Sequence, residues 1–457
     1  MENRTSFAGT FLLIGFAAFM FLPLQPSFSD PAGSNCWHLN SPLQAESNAD
    51  LVCKVRVLKL QRDTTFKGSP ASPDQIILRM IAKAEVISVV KGQCPDKIDI
   101  EFHYPKDVSK FVSTVRRKYP RVADFAFPYS KGTNGGLSPL SWDFYARLSK
   151  GEVALVFLKQ SDDHYKLGPI TSKARVEPKK VPYNLGQTPN LKLLAEFLAG
   201  CESDNEMVKL QAVEELGYLG LAMIEDLRPA KSDNELFQKI ASGLTAAKHA
   251  LAKVRSSKNP VISSASFISS FQVDDSPGIE GPLRLLRTDQ ALFDPNDSAK
   301  KYGIRSFSIP ALQLRLLETM DATTRRAVID LKDGSVIRPP DGRPGIYRGV
   351  RNFDYAGFYR LALDCPAVKN SPEMRSAIAN VIWIRCEKSS VPEMARLLDD
   401  SNTYARFVAV GALMNYTGQG PERRGWEEFE KDDRQYIEYW KNWWQQNKDN
   451  FAPLQAP

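Results

Sequence analysis

The sequence predicts a multidomain chain, all-β followed by all-α, in which a small β-barrel precedes an α-helical solenoid. Apolar and polar residues alternate between about residues 49 and 172, which is the period of strands. After about residue 186 the apolar residues recur every three or four positions, as in helices. One helical segment also returns after 31 residues, which is typical of repeat proteins.

The length and composition agree with a folded chain of several domains. A chain of 457 residues corresponds to two or three domains, because single cores rarely exceed about 250 residues. Hydrophobic residues at 43% and charged residues at 25% exclude a wholly disordered or multispan membrane protein. The net charge of +7 is mild, and the basic runs at 110–121 and 173–180 fit either an acidic partner or solvated loops.

Residues 1–29 are predicted to be a signal peptide. Arg4 precedes an apolar run at 11–24, and the small residues Ser27 and Ser29 stand before Asp30, as at a cleavage site. An uncleaved membrane anchor is the alternative, although the run is shorter than the roughly 20 residues of a span. The mature chain is therefore expected in the periplasm or outside the cell, without a membrane span and without a nucleic-acid partner.

The β module is assigned to residues 30–175. Its predicted strands lie at 49–60, 84–92, 97–104, 153–158 and 164–168. The 153–158 segment is apolar on both faces, which predicts a central strand. About five short antiparallel strands favour a small barrel. Residues 106–150 are interpreted as a long polar insertion between strands.

Two helical regions are predicted, at 186–257 and 350–447. Their helices are expected at 191–200, 207–220, 237–257, 372–386, 391–400, 402–418 and 436–447. The residues between them, 258–349, are assigned as an irregular linker with short helices. The serine-rich stretch at 256–275 is predicted to be irregular, as a linker or an extended segment over the surface. Residues 448–457 are assigned as a disordered tail. Aligning the segment at 372–386 with the segment at 402–418 places Arg375 on Arg406. This repeat predicts stacked helices, with Ala409 at a helix contact.

The six cysteines are too few for a disulfide framework. Cys36 and Cys94 flank the β module and form the candidate disulfide, whereas Cys53 is predicted to be a buried thiol. Cys365 and Cys386 are expected at the ends of successive helices, too far apart to pair. Cys36 beside His38 could alternatively act as a nucleophile and base.

The sequence predicts no catalytic, cofactor-binding or metal-binding residues and no cofactor. The four histidines, at 38, 103, 164 and 249, are separated in sequence, and the HExxH, GxSxG and phosphate-loop motifs are missing. His103, on the polar face of a strand, and His249, in an Ala-rich helix, are interpreted as surface residues. An enzyme would need a site that no motif records.

The helix predicted at 436–447 carries a stripe of Ile437, Trp440 and Trp444. A buried stripe would cap the end of a solenoid, which every repeat array needs. An exposed stripe would offer an aromatic platform for sugars or peptides. Trp443 lies beside the stripe and is the candidate aromatic surface residue.

The segment VPEMARLLDDSNTYARFVAVGALMNYTG at 391–418 resembles a HEAT repeat. The resemblance lies in the Val-Pro start and Leu397 of the first helix and in Arg406 and Ala409 of the second. The 207–220 segment is a weaker match. This resemblance implies a stacked-helix surface for interaction with another protein.

The β module resembles the netrin-like domains, which share an OB-type barrel with the tissue inhibitors of metalloproteinases. The resemblance lies in ADLV at 49–52, VKG at 90–92, IDIEF at 98–102 and GEVALVFL at 151–158. It implies an inhibitor whose N-terminal Cys coordinates the protease zinc. Six residues precede Cys36 in the predicted mature chain. The sequence therefore predicts a non-enzymatic protein-binding protein, with the metalloprotease inhibitor as the alternative.

Overall fold

The chain folds into an N-terminal β-sheet followed by a helical region, as seen in a computed structural model. The structure describes residues 49–451 except 68–75, 107–147, 162–163, 168–172, 231–233, 274, 276, 289–308, 325–327, 330–335, 338–352, 386 and 422–424. The predicted signal peptide, Cys36, Cys386 and nearly all of the predicted insertion at 106–150 lie outside the described residues.

The strands predicted in the β module are confirmed. They are β1 (Leu51–Lys67), β2 (Ile76–Lys91), β3 (Lys97–Pro105), β4 (Val153–Gln160) and β5 (Tyr165–Leu167), and β6 (Lys173–Arg175) follows them. β1 and β2 extend beyond their predicted bounds because polar residues continue the pairing, with Gln61 opposite Ile81 and Thr65 opposite Leu78. β7 (Val328–Ile329) and β8 (Val336–Ile337) form a separate antiparallel pair.

Strand β1 pairs with neighbours on both of its edges. It is antiparallel to β2 along one edge and to β4 along the other, so that Cys53 lies opposite both Val89 and Val156. β3 pairs antiparallel with β2 and parallel with β5, and β5 pairs antiparallel with β4. The order β1–β2–β3–β5–β4 therefore leads back to β1. β6 shares the second edge of β4 with β5.

Both faces of β4 are buried, as the sequence predicts for a central strand. Ala154, Val156 and Leu158 pack into a core formed within the sheet. Leu155 and Phe157, on the opposite face, pack into the core of the helical region. β1 divides its side chains in the same way. The core of the helical region is consequently shared with one face of the sheet, whereas the other face encloses a core of its own.

A buried ion pair joins the sheet to the first helix. Lys54 of β1 donates to a carboxylate oxygen of Glu196 at 2.8 Å, and neither side chain has any exposed surface. Lys54 also donates to the Lys179 carbonyl at 2.6 Å. The Tyr183 hydroxyl lies 3.0 Å from both the Ser88 hydroxyl and the second Glu196 oxygen. These bonds offset the large cost of removing both charges from water.

The helical region contains α1 (Pro189–Cys201), α2 (Glu206–Ala230), α3 (Asn234–Val254), α4 (Pro260–Gln272), α5 (Glu280–Arg287), α6 (Ile309–Thr324), α7 (Tyr355–Ala362), α8 (Pro366–Lys369), α9 (Pro372–Arg385), α10 (Val391–Leu397), α11 (Thr403–Thr417), α12 (Trp426–Lys431) and α13 (Arg434–Asn447). All seven helices predicted in the sequence are confirmed. Short 3₁₀ turns lie at Lys388–Ser390 and Lys448–Phe451.

Six of the helices pack side by side in a row. α2 packs on α4, α4 on α6, α6 on α9, α9 on α11, and α11 on α13. The side chains of Asn205, Asn259 and Asn402 cap the N-termini of α2, α4 and α11 by accepting backbone N–H bonds. The same cap chemistry therefore recurs at the start of three helices in the row.

Arg375 and Arg406 make equivalent contacts on neighbouring helices of this row. Arg375 donates to Asp400 at 2.7 Å and to the carbonyl of Lys369, six positions before it. Arg406 donates to Asp433 at 2.6 Å and to the carbonyl of Asp400, again six positions before it. The 31-residue spacing seen in the sequence thus corresponds to a structural repeat of ion pairs that tie successive helix pairs together.

The prediction that residues 256–275 are irregular is wrong for α4, which lies within them. Every residue from Val261 to Gln272 is buried, although many of them are serines. Three of the serine hydroxyls donate to backbone carbonyls: Ser266 to Ser263 and Ser270 to Ser266 within the helix, and Ser263 to Arg255 before it. Because such bonds satisfy these three hydroxyls, they lower the cost of burying a serine-rich helix.

Candidate functional site

Trp443, the aromatic residue singled out in the sequence, lies on α13 in a group of half-buried rings. Its ring centroid is 5.8 Å from that of Phe451, which also lies 6.0 Å from Trp444 and 5.9 Å from Tyr416. The Lys388 ammonium stands 5.6 Å from the centre of the Phe451 ring, within the range of a cation–π contact. We call Tyr416, Trp443, Trp444, Phe451 and Lys388 the C-terminal aromatic surface.

Helix α13 holds this surface in place through its buried face. Trp440 is completely buried and its ring centroid lies 5.4 Å from that of Trp443. The Trp440 ring packs closely on Gly420, whose φ of +114° and lack of a side chain permit the approach. Of the predicted stripe, Ile437 and Trp440 are buried, whereas Trp444 is half-buried like Trp443. The stripe therefore has a structural part and a partly exposed part.

The prediction of a disordered tail at 448–457 is wrong for its first four residues. Lys448–Phe451 form a 3₁₀ turn that continues α13. The turn is ordered because Phe451 packs against aromatic rings from both α11 and α13. Residues 452–457 lie outside the described residues. Phe451 is thus a member of the aromatic surface that the sequence did not indicate.

A second candidate site is a cluster of polar side chains on the outer face of β2 and β3. Glu101 of β3 has a side chain only 5% exposed and is bound by Arg79 of β2 through two guanidinium nitrogens, Nε being 3.0 Å from the carboxylate. His103 Nε2 lies 3.6 Å from one carboxylate oxygen, and His164 Nε2 lies 2.9 Å from the other. We call these four residues the Glu101 cluster.

Burial and the neighbouring cations shift the pKa of the Glu101 carboxyl in opposite directions. Desolvation raises the pKa of this carboxyl, whereas the hydrogen bond and charge of Arg79 lower it, and the charges of His103 and Lys166 lower it further. The net pKa is below the ordinary value, so the carboxylate is ionised. Such a group holds a guanidinium and two imidazoles together on the surface.

The interpretation of His103 as an ordinary surface residue missed this cluster. Its imidazole and that of His164 meet because β3 and β5 pair in parallel, with Ile100 opposite Tyr165. His103 and His164 are 61 positions apart, so no local sequence period could have indicated that they meet. His249 is exposed on α3, as predicted, and His38 lies outside the described residues.

The predicted disulfide between Cys36 and Cys94 cannot be placed, because Cys36 lies outside the described residues. Cys53, Cys94, Cys201 and Cys365 are free thiols. Cys53 is fully buried, which confirms that prediction. In the part of the chain that the structure describes, no three His, Cys, Asp or Glu side chains form a metal-binding group.

The helices of the described residues include none with the length and hydrophobicity needed to cross a membrane. Comparison of the chain with protein-family models, with curated proteins and with solved structures finds no match.

Proposed function

We propose that this chain is an exported, non-enzymatic protein that binds another protein, with the C-terminal aromatic surface as its contact. The observation that carries the proposal is the group of half-buried rings of Tyr416, Trp443, Trp444 and Phe451 on a buried support. Aromatic residues are enriched in protein interfaces and at their energetic hot spots. Half-buried, packed rings also lose little conformational freedom on binding.

The architecture that we propose for this function is an OB-type, netrin-like barrel followed by a HEAT-like solenoid. The barrel is supported by the return of the strand order to β1. The solenoid is supported by the row of six packed helices and by the equivalent contacts of Arg375 and Arg406. Repeat arrays of this kind offer long surfaces that are commonly used for protein binding.

Site-specific photo-crosslinking in the exporting cell tests the proposed contact. A benzophenone amino acid at position 443 replaces one aromatic side chain with another, and the matched control carries it at Glu438. Glu438 is exposed on the same helix but lies about 140° around its axis from Trp443. We expect irradiation to convert the position-443 variant into a discrete heavier species, with no such species at position 438.

Absence of a cross-linked species at 443, or equal cross-linking at both positions, would contradict the proposal. Identification of the captured protein by mass spectrometry then defines the partner. The metalloprotease inhibitor remains the alternative. It requires exported protein that begins at Cys36 and blocks a zinc protease, which N-terminal sequencing and an inhibition assay detect.

A further inference from the structure

Two of the four described cysteines lie together at one end of the sheet. Cys53 is in β1, where it is fully buried in the core within the sheet. Cys94 is in the connection between β2 and β3 and packs, half-buried, against the same core. The other two, Cys201 and Cys365, lie in the helical region.

The chain path explains why these two thiols meet. Cys53 lies opposite Val89 near the end of β2. β2 ends at Lys91, and Gly92 adopts a φ of +81°, the left-handed conformation that reverses the chain. Val86 then donates its backbone N–H to the Asp96 carbonyl, which closes the connection back onto β2. Cys94 stands inside this closed connection and packs against the core that contains Cys53, and the interaction between the two thiols shifts the pKa of each.

We propose that Cys53 and Cys94 are the two halves of a disulfide that forms when the exported protein meets a thiol oxidant. An oxidising compartment outside the cytoplasm permits such a bond. The bond joins β1 to the β2–β3 connection and closes a loop of about 40 residues, which stabilises a fold by restricting its unfolded chain. A bond between Cys53 and Cys94 also excludes the predicted disulfide between Cys36 and Cys94.

The environments of the two thiols determine the order in which they react. The Cys53 thiol donates a hydrogen bond that lowers the pKa of Cys94, against a smaller opposing effect of burial. The hydrogen bond with Cys94, together with burial, raises the pKa of Cys53. The half-buried Cys94 is therefore the thiolate that attacks first, because the thiolate is the nucleophile in disulfide exchange.

With oxidised glutathione as the oxidant, the steps balance as a two-electron exchange. The Cys94 thiolate attacks one glutathione sulfur, the glutathione S–S bond breaks, and one glutathione thiolate leaves. Cys53 then loses its proton to water and its thiolate attacks the Cys94 sulfur of the mixed disulfide, which releases the second glutathione thiolate. The two cysteines lose two electrons and the glutathione disulfide gains them.

Thiol mapping of the full mature chain tests this pairing. Protein incubated with oxidised glutathione is denatured, alkylated, digested without reductant and analysed by mass spectrometry. We expect a peptide pair linked through Cys53 and Cys94, loss of alkylation at both, and full alkylation of Cys201 and Cys365. A link between Cys36 and Cys94, or alkylation of both Cys53 and Cys94, would overturn the proposal.

Thermal unfolding provides a second readout with matched variants. The oxidised protein is expected to melt about 5 °C above the reduced protein. Cys94→Ser removes this difference, and Cys201→Ala, the control at another buried thiol, retains it. Cys53→Ala is a second way to remove the bond and leaves a small apolar residue in the core. An equal difference in all variants would also contradict the pairing.

Discussion

Lys54 and Glu196 are charged residues without exposed side-chain surface, and each depends on the other. We predict that Lys54→Met lowers the free energy of unfolding by about 3–5 kcal/mol, since it leaves the Glu196 carboxylate buried and unpaired. The double variant Lys54→Met with Glu196→Leu should recover much of this loss, because both charges are then gone. Urea denaturation followed by circular dichroism measures the three free energies.

Arg56 provides the control for this prediction on the same strand. It pairs with Glu85 at 3.0 Å, but about half of each side chain is exposed. Arg56→Met should therefore change the free energy of unfolding by less than about 1 kcal/mol. Equal losses for Lys54→Met and Arg56→Met would show that the burial of the Lys54 pair has no energetic consequence.

Glu101 gives a pH-dependent prediction. Its pKa in the folded chain is below the ordinary value of 4.5, so its contribution to stability is complete above that value and is lost as the pH falls through the folded pKa. Arg79→Gln removes the main lowering interaction and leaves burial, which raises the pKa. We therefore expect Arg79→Gln to be less stable than wild type near neutrality.

The difference in stability between Arg79→Gln and wild type should shrink as the pH falls from about 7 to about 3, because protonation of Glu101 ends its attraction to Arg79. Urea denaturation at a series of pH values measures this difference. Arg56→Gln serves as the control at an exposed pair on the neighbouring strand. A difference that stays constant or grows on acidification would exclude the assigned role of Arg79.

At the scale of elements, Ala409 tests the helix contacts of the row. It lies in α11, is completely buried, and belongs to the shared core. Ala409→Glu should destabilise the protein by about 3 kcal/mol or more, because it places an unpaired charge in a close helix contact. Asn415→Glu, at an exposed position of the same helix, is the matched control and should change little. Equal thermal midpoints for the two variants would contradict the packing of α11.

The strands were predictable where one residue in two faces a core, as in β3, where Ile98 and Ile100 are buried and Lys97 and Asp99 are exposed. Helix α4 was not predicted because serine-rich composition is typical of loops, and the bonds that satisfy the Ser266 and Ser270 hydroxyls form only in the folded helix. The sequence nevertheless contained a local signal for the start of α4. The triplets at 203–205, 257–259 and 400–402 share a Ser or Asp followed after one residue by the capping Asn.

The two candidate sites differ in how far the sequence could predict them. The helical period of α13 brought attention to Trp443 and to the buried Trp440. Phe451 was missed because it follows the helix and is ordered only by contacts with other rings. The Glu101 cluster depends on a parallel pairing of β3 with β5, which brings together residues distant in sequence. Local periods carry no information about such contacts.

At the scale of the whole molecule, we expect the sheet and the helices to unfold as a single cooperative unit. Val52, Leu155 and Phe157 of the sheet belong to the core of the helical region, and Lys54 has its partner on α1. Cutting the chain between the two parts would expose this apolar face and would separate the Lys54 charge from its partner Glu196. The intact protein should therefore show one unfolding transition that includes both the strands and the helices.

A fragment that contains only the sheet, residues 30–188, tests whether the sheet depends on the helices for its stability. We predict that it binds a hydrophobic dye and self-associates, because Val52, Leu155 and Phe157 lose their cover. The sheet retains a core of its own on the other face, so replacing these three residues with Thr, Lys and Thr should restore a monomeric fragment with strand circular dichroism. Size-exclusion chromatography with light scattering compares the two fragments. A wild-type fragment that is monomeric, dye-free and folded would show instead that the sheet is an independent domain, merely adjacent to the helices.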